Sequence, residues 1–234
     1  MRVRFCSLQL RGRMMAEVLL SDIDGTLVDS NCLHADAWRR SFEQFGIQVR
    51  IDEVWTQIGK GGDQLLPVFL READRERLEK PLTEFKDELF RREYLHRVVA
   101  FPMARELFMR VKESGTRIAL ATSSGKADLA VYKKIARIED LVEEASSSDD
   151  AESSKPDPDI FAAALSMVQM RSDQAIALGD TPYDAEAAGK LGIPVIGLTC
   201  GGWKRDDLKD AGCIEVYMNP EALLREFRHS ALAR

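Results

Sequence analysis

Short apolar runs, each closed by turn residues and separated by amphipathic stretches, limit most strongly what this chain can fold into. The runs are residues 18–20 (VLL), 118–121 (IALA), 175–178 (AIAL), 194–198 (PVIGL) and 214–217 (IEVY). Runs this short and this apolar suit strands buried on both faces. Between the later ones, residues 102–113 carry Leu107, Phe108 and Val111, residues 158–170 carry Ile160, Phe161, Leu165 and Val168, and residues 183–191 are rich in alanine. Those spacings are helical. Strand alternating with helix predicts an α/β chain, a Rossmann-like doubly wound parallel sheet with helices on both faces.

Residues 33–98 break the alternation. Ala35, Trp38, Phe42 and Phe45 share one helical face, residues 63–70 make a shorter piece interrupted by Pro67, and residues 82–98 repeat apolar side chains at spacings of three and four. The stretch reads as an all-helical cap domain inserted after the first strand. The expected division is a core of residues 16–30 and 100–234 and a helical cap of residues 31–99. Residues 29–32 and 100–102 would be the hinges of a lid. Residues 1–15, with four Arg and no acid, are expected to be a disordered tail or an overextended start, with Met14 or Met15 the alternative initiator.

Lys and Arg number 33 against 39 Asp and Glu, a net charge of -6, which argues against a non-specific nucleic-acid binder. No apolar run approaches the ~20 residues that a membrane helix needs. The four cysteines, Cys6, Cys32, Cys200 and Cys213, are scattered without a Cys-x-x-Cys pair. They read as reduced thiols of a cytoplasmic protein.

Ligands of an open parallel sheet bind outside the carboxyl ends of its strands, so the residues directly after each run carry the chemistry. They are Asp22-Ile23-Asp24-Gly25-Thr26 after the first run, Thr122-Ser123-Ser124 after the second, and Gly179-Asp180-Thr181-Pro182-Tyr183-Asp184 after the third. Lys155-Pro156-Asp157-Pro158-Asp159 precedes a helix between the last two. Acids, a hydroxyl and an amine would thus converge on one sheet edge.

The strings DIDGTLVDS, ATSS, SKPDPDIF and GDTPYDAEAA, in that order, closely resemble the four signature motifs of the haloacid dehalogenase superfamily of phosphatases. The resemblance covers the chain from Glu17 onward. The helical insert is similar to the caps of the phosphoglycolate phosphatase and β-phosphoglucomutase branch. Ile23 stands where the family usually has Phe or Leu, a change that an apolar position tolerates. The resemblance implies a Mg²⁺-dependent hydrolase of small phosphomonoesters with Asp22 as nucleophile, forming an aspartyl phosphate. Asp24 would be the general acid and base, sharing a strand face with Asp22 and needing a raised pKa. Mg²⁺ would be held by the Asp22 carboxylate, the Asp24 backbone carbonyl and the Asp180 carboxylate, with Asp184 holding a metal-bound water or orienting Lys155. Lys155, Thr122 and backbone N–H groups near Ser123 would take the remaining phosphoryl charge.

In the cap, the Gly59-Lys60-Gly61-Gly62 turn and His34, twelve residues after Asp22, are candidate substrate contacts through Lys60 and His34. Each element alone has a plainer reading: Asp-x-Asp-Gly as a turn, Thr122 as a helix cap, Lys155-Pro156 as a helix start, the glycine turn as solvated loop. A calcium loop fails because Leu33 stands where its Glu should be. Gly125-Lys126 and Gly189-Lys190 lack the rest of a P-loop. Among enzymes the alternative is a sugar phosphomutase; outside them, a phosphoacceptor or binding module. The expected partner is a small phosphorylated metabolite, not nucleic acid or membrane, and the oligomeric state is left open.

Overall fold

A computed structural model describes residues 16–233; the expectations for residues 1–15 and for Cys6 lie outside the described residues. Six parallel strands form the central sheet: β1 (Val18–Ser21), β4 (Arg117–Ala121), β5 (Glu144–Ser146), β6 (Ala175–Gly179), β7 (Val195–Leu198) and β8 (Glu215–Tyr217), in the order β5-β4-β1-β6-β7-β8. Successive side chains of a strand face opposite sides, and the two cores follow that rule. Leu19, Ile118, Leu120, Ile176 and Leu178 pack on one face with α5 (Ala104–Glu113), α6 (Lys126–Ala136) and α10 (Pro220–Arg225). Val18, Leu20, Ala119, Ala121 and Ala177 face the other, under α7 (Asp159–Val168), α8 (Pro182–Lys190) and α9 (Arg205–Asp210). The strand order reverses between β1 and β6, so the crevice of the doubly wound sheet opens beyond their carboxyl ends.

Between β1 and β4 lie α1 (Asn31–Gln44), α2 (Ile51–Trp55), α3 (Gly62–Phe69) and α4 (Glu72–Glu93), closed over a separate apolar cluster of Trp38, Phe42, Val54, Leu65, Leu66 and Leu82. Where the chain leaves and re-enters the core, two short strands pair antiparallel: β2 (Val28–Asp29) with β3 (Val99–Ala100), Val28 opposite Ala100. This ribbon is absent from the sequence reading, as is β5. Neither ribbon strand exceeds two residues, and β5 offers one apolar residue, Ala145, between Glu144 and Ser146.

A second correction concerns α4. The sequence reading starts this helix at residue 82 and ends it at residue 98, whereas the structure runs from Glu72 to Glu93 with Pro81 inside, then a 3-10 turn at Leu95–Arg97. Pro81 costs one backbone bond, but it is exposed, so water can satisfy the freed carbonyl. Glu72 and Asp74 in the first turn and Arg91 and Arg92 in the last suit the helix dipole. Among the described residues no helix is long and apolar enough to cross a membrane, and Cys32, Cys200 and Cys213 are free thiols.

Candidate active site

β1 stops at Ser21 and the chain turns at once. The Asp22 N–H still donates to the Leu178 carbonyl at 2.8 Å, while Gly25 N–H bonds Val28 O and Leu27 N–H bonds Ile23 O, both at 2.8 Å. Gly25 is required twice over: its φ is +72°, and a Cβ there would stand 2.3 Å from both Asn31 Nδ2 and Asp180 Oδ2. The loop brings Asp22 beside Asp180 and Asp184, whose candidate ligand atoms all lie within 4.8 Å of one another in a buried cluster.

Lys155 is the cation of this cluster. It is 1% exposed, its Nζ donates to Asp22 Oδ1 at 2.5 Å and it lies 2.7 Å from Asp184 Oδ1. Thr26 Oγ1 donates to Asp180 Oδ1 at 2.9 Å and contacts Asp22 Oδ2 at 3.2 Å. Asn31 Nδ2 donates to Asp180 Oδ2 at 2.8 Å and to the Gly201 carbonyl at 2.9 Å. Thr181 N–H and Oγ1 donate to Asp184 Oδ2 at 3.0 and 2.7 Å. Asp184 thus caps its own helix and orients Lys155 at the same time.

Three buried carboxylates face one ammonium, and the proton affinities record the imbalance. Burial pushes Asp22 up to about 8, against the pull of Lys155 and with repulsion from Asp184 and Asp24 added. Burial, then Asp22 and Asp184, hold Asp180 well above the usual carboxylate range despite Asn31 and Thr26. For Lys155, burial is outweighed by Asp184 and Asp22, which raise it. Asp184 Oδ1 is buried with the Lys155 ammonium as its close partner. A surplus of buried anionic oxygen over the one ammonium fits a hard divalent cation such as Mg²⁺, and Asp22, Asp180 and Asp184 are the residues that could hold it.

Asp24 departs from the sequence expectation. β1 ends at Ser21, so neither Asp22 nor Asp24 lies on a continuing strand, and the Asp24 carboxylate has partners of its own. It accepts from Ser30 Oγ at 2.5 Å and Ser124 Oγ at 2.6 Å, and His34 Nε2 lies 3.2 Å away. Burial would raise its pKa, but the His34 hydrogen bond and charge, with Ser124 and Ser30, prevail and lower it to about 2. The expected raised value is therefore reversed, because three donors favour the ionised form more than burial disfavours it.

His34 is fixed by more than Asp24: its Nε2 lies 3.0 Å from the Tyr132 hydroxyl, and its ring stacks on Phe90 at 3.9 Å and 3°. The buried Thr122 hydroxyl accepts the Ser124 N–H at 3.1 Å. Ser123 Oγ reaches across to the cap, donating to the Gly59 carbonyl at 3.2 Å. Lys60 borders the same space, though its Nζ donates to Gln57 Oε1 at 2.7 Å. Together these enclose a cavity of about 440 Å³ between cap and core, bordered by Asp22, Asp24, His34, Lys60, Thr122 and Ser123. Lys86, buried and set over the Trp38 ring at 5.3 Å, borders it as well.

The sequence reading missed Thr26, Ser30, Asn31, Ser124 and Lys86. Thr26 and Ser30 stand inside the DIDGTLVDS string and Ser124 inside ATSS, so their motifs pointed at them. Asn31 and Lys86 are single polar residues on cap helices with no local signal.

A profile of the haloacid dehalogenase-like hydrolases matches residues 19–198 of this chain. A phosphoglycolate phosphatase of Pseudomonas savastanoi pv. phaseolicola is 26% identical over 202 residues, 82% of this chain and 73% of that protein. A phosphorylated carbohydrates phosphatase of Thermotoga maritima is 24% identical over 212 residues, 89% of this chain and 96% of its own length. A crystal structure of a hydrolase from Pseudomonas syringae superposes with a TM-score of 0.80 at 26% identity, covering 91% of this chain and 98% of that one.

Proposed function

The chain belongs to the haloacid dehalogenase-like hydrolases, and on that premise we propose that it is a cytoplasmic, Mg²⁺-dependent phosphatase of small phosphomonoesters acting through an aspartyl phosphate on Asp22. In this reading residues 16–30 and 100–234 are the catalytic core and residues 31–99 the cap. The observation that carries it is the position of Asp22, at the reversal of strand order, with Lys155 at 2.5 Å, Asp180 and Asp184 beside it, and the cavity between cap and core in front of it.

Asp22 attacks phosphorus in line, the bond from phosphorus to the ester oxygen breaks, and the alkoxide takes a proton from Asp24. Water then attacks the acyl phosphate, giving its proton back to Asp24 and releasing phosphate. Asp24 as found is poised for the second half, since its partners keep it ionised. For the first half it must leave Ser30, Ser124 and His34 and gain a proton. Lys155 holds the Asp22 oxygen that does not attack and pairs with phosphoryl charge, and the Thr122 hydroxyl and the Ser123 backbone add donors. Bound Mg²⁺ would supply the missing positive charge between the carboxylates and the phosphoryl group. A sugar phosphomutase would use the same parts and return the phosphoryl group to a second hydroxyl.

The test is a panel of sugar phosphates, phosphoglycolate and nucleotides scored for phosphate release with and without Mg²⁺, and for dependence on a sugar bisphosphate. Phosphate release that needs Mg²⁺ but no bisphosphate is the expected outcome. Isomerisation that needs the bisphosphate replaces the phosphatase by the mutase.

A further inference from the structure

Beside the reacting cluster, cap and core also meet through aromatic rings that the chemistry above leaves unused. Trp55, the last residue of α2, has its ring centroid 5.2 Å from that of Trp203, with the planes 37° apart. Tyr183 sets an edge against the same indole at 6.2 Å and 86°, and its hydroxyl donates to the Thr56 carbonyl at 2.5 Å. Lys60 Nζ lies 4.6 Å from the centroid of the Tyr183 ring, a cation over an aromatic face. Gly202 makes room for Trp55: its φ is +107°, and a Cβ there would come within 2.6 Å of Trp55 Cζ2.

These rings sit on the loops that build the site. Tyr183 follows Asp180 in the turn that opens α8, and Trp203 follows Gly201, which lies so close to Asp180 that a Cβ would stand 1.7 Å from Oδ2. On the cap side, Trp55 and Thr56 lead directly into residues 58–62, which border the cavity. The remaining ties of that segment are polar. Gly61 N–H donates to Ser154 Oγ at 2.8 Å, Ser123 Oγ to Gly59 O at 3.2 Å, and Ser154 N–H to Asp63 Oδ2 at 2.9 Å. Water can replace each of these when the seam opens, so each favours closure by a net amount comparable to one aromatic contact, and the half-buried rings of Trp55, Tyr183 and Trp203 add apolar contact to them.

We propose that Trp203 and Tyr183 are positioning residues, an aromatic clasp that seats Trp55 and so holds cap residues 58–62 over the phosphoryl-transfer site. The assignment rests on the reading of that site given above. A clasp acts on whatever substrate lies beneath it. Losing an aromatic contact shifts the ratio of closed to open cap by about threefold to tenfold, and with the cap mostly open before substrate binds, kcat/KM falls by the same factor for a bare leaving group and for one with a distal anion.

The experiment uses the full chain with Trp55→Ala, Trp203→Ala, the double variant, Trp203→Phe and Tyr183→Phe. It measures kcat/KM for p-nitrophenyl phosphate and for phosphoglycolate, and the far-ultraviolet exciton couplet of two indoles in contact. Each single Trp→Ala change is expected to lower kcat/KM about threefold to tenfold with both substrates and to erase the couplet. The double variant should lose no more than the worse single, and Trp203→Phe should regain most of the activity. If the alanine variants do not fold, Tyr183→Phe, which removes only the bond to Thr56, should still cost about fivefold with both substrates. Additive losses, a loss confined to one substrate, or a wild-type protein without the couplet overturn the clasp. Wild-type protein that keeps the couplet but hydrolyses neither substrate instead overturns the reading of the site, and the positioning role falls with it.

Discussion

Replacing Lys155 by Met tests the electrostatics of the candidate site without adding bulk. The substitution removes an ammonium that is 1% exposed, lies 2.5 Å from Asp22 Oδ1 and 2.7 Å from Asp184 Oδ1, and is the cation for both. Breaking a buried ion pair costs about 3–5 kcal/mol. The low end applies here, because Asp22 already binds a proton at about 8 and can neutralise itself. For a chain of this size about 1 kcal/mol moves Tm by roughly 2–4 °C, so metal-free Lys155→Met should melt roughly 6–12 °C below wild type. The pH dependence has a definite sign. A carboxylate whose folded pKa is raised binds more protons folded than unfolded, so its contribution is present at low pH and lost as pH rises through the folded value. Without Lys155 the Asp22 value rises further, and the gap in Tm between variant and wild type should be widest above pH 8 and narrow towards pH 6, roughly the window in which the wild-type Asp22 still holds its proton. Melting curves followed by circular dichroism in chelated buffer supply the measurement. A drop under roughly 2 °C, or a gap that widens on acidification, would refute the claim that Lys155 balances the cluster.

Gly201→Ala should push Asp180 aside, since the new Cβ would stand 1.7 Å from its Oδ2, and raise the Mg²⁺ concentration for half-activation by about 10–100-fold; an unchanged Mg²⁺ titration would remove Asp180 from the metal site. Protons on Asp22 and Asp180 compete with the cation, so Mg²⁺ affinity should climb between pH 6 and pH 8 with proton release, seen by calorimetry in buffers of different ionisation enthalpy. Flat affinity over that range would contradict the raised values. In the cap, Lys86→Met should raise KM for substrates with a distal anion by about tenfold while sparing p-nitrophenyl phosphate, and Lys60→Ala should do less, because Lys86 is the more deeply buried of the two ammoniums that border the cavity. Equal effects of the two variants on both substrates would mean that neither cation reads the substrate.

What the sequence disclosed follows from where the information is local. β1, β4 and β6 carry short apolar runs, residues 18–20, 118–121 and 175–178, that are buried on both faces, and most of the chemistry-bearing residues stand directly after them. β5 and the β2–β3 ribbon were invisible because their stability comes from pairing with distant strands, which no window of residues reveals. The first turns of α4 escape the apolar spacing because residues 72–81, EADRERLEKP, are mostly charged and face solvent. The reversal at Asp24, like the missed β5, had a non-local origin. Its proton affinity depends on Ser30, Ser124 and His34 converging on one carboxylate, and two of these three come from outside its own turn. Asn31 and Lys86 show the limit most plainly, since nothing near either in sequence tells a helix-surface residue from one aimed at a site.

The most direct test of the account is to find where the phosphoryl group goes. Wild-type protein is mixed with a radiolabelled phosphomonoester and Mg²⁺, quenched in acid within a turnover, digested and mapped. One hydroxylamine-labile label is expected on the peptide that contains Asp22, and neither label nor turnover in Asp22→Asn, whose amide cannot form an acyl phosphate. A label on His34, Ser123 or Ser124, or turnover in Asp22→Asn within tenfold of wild type, would contradict it.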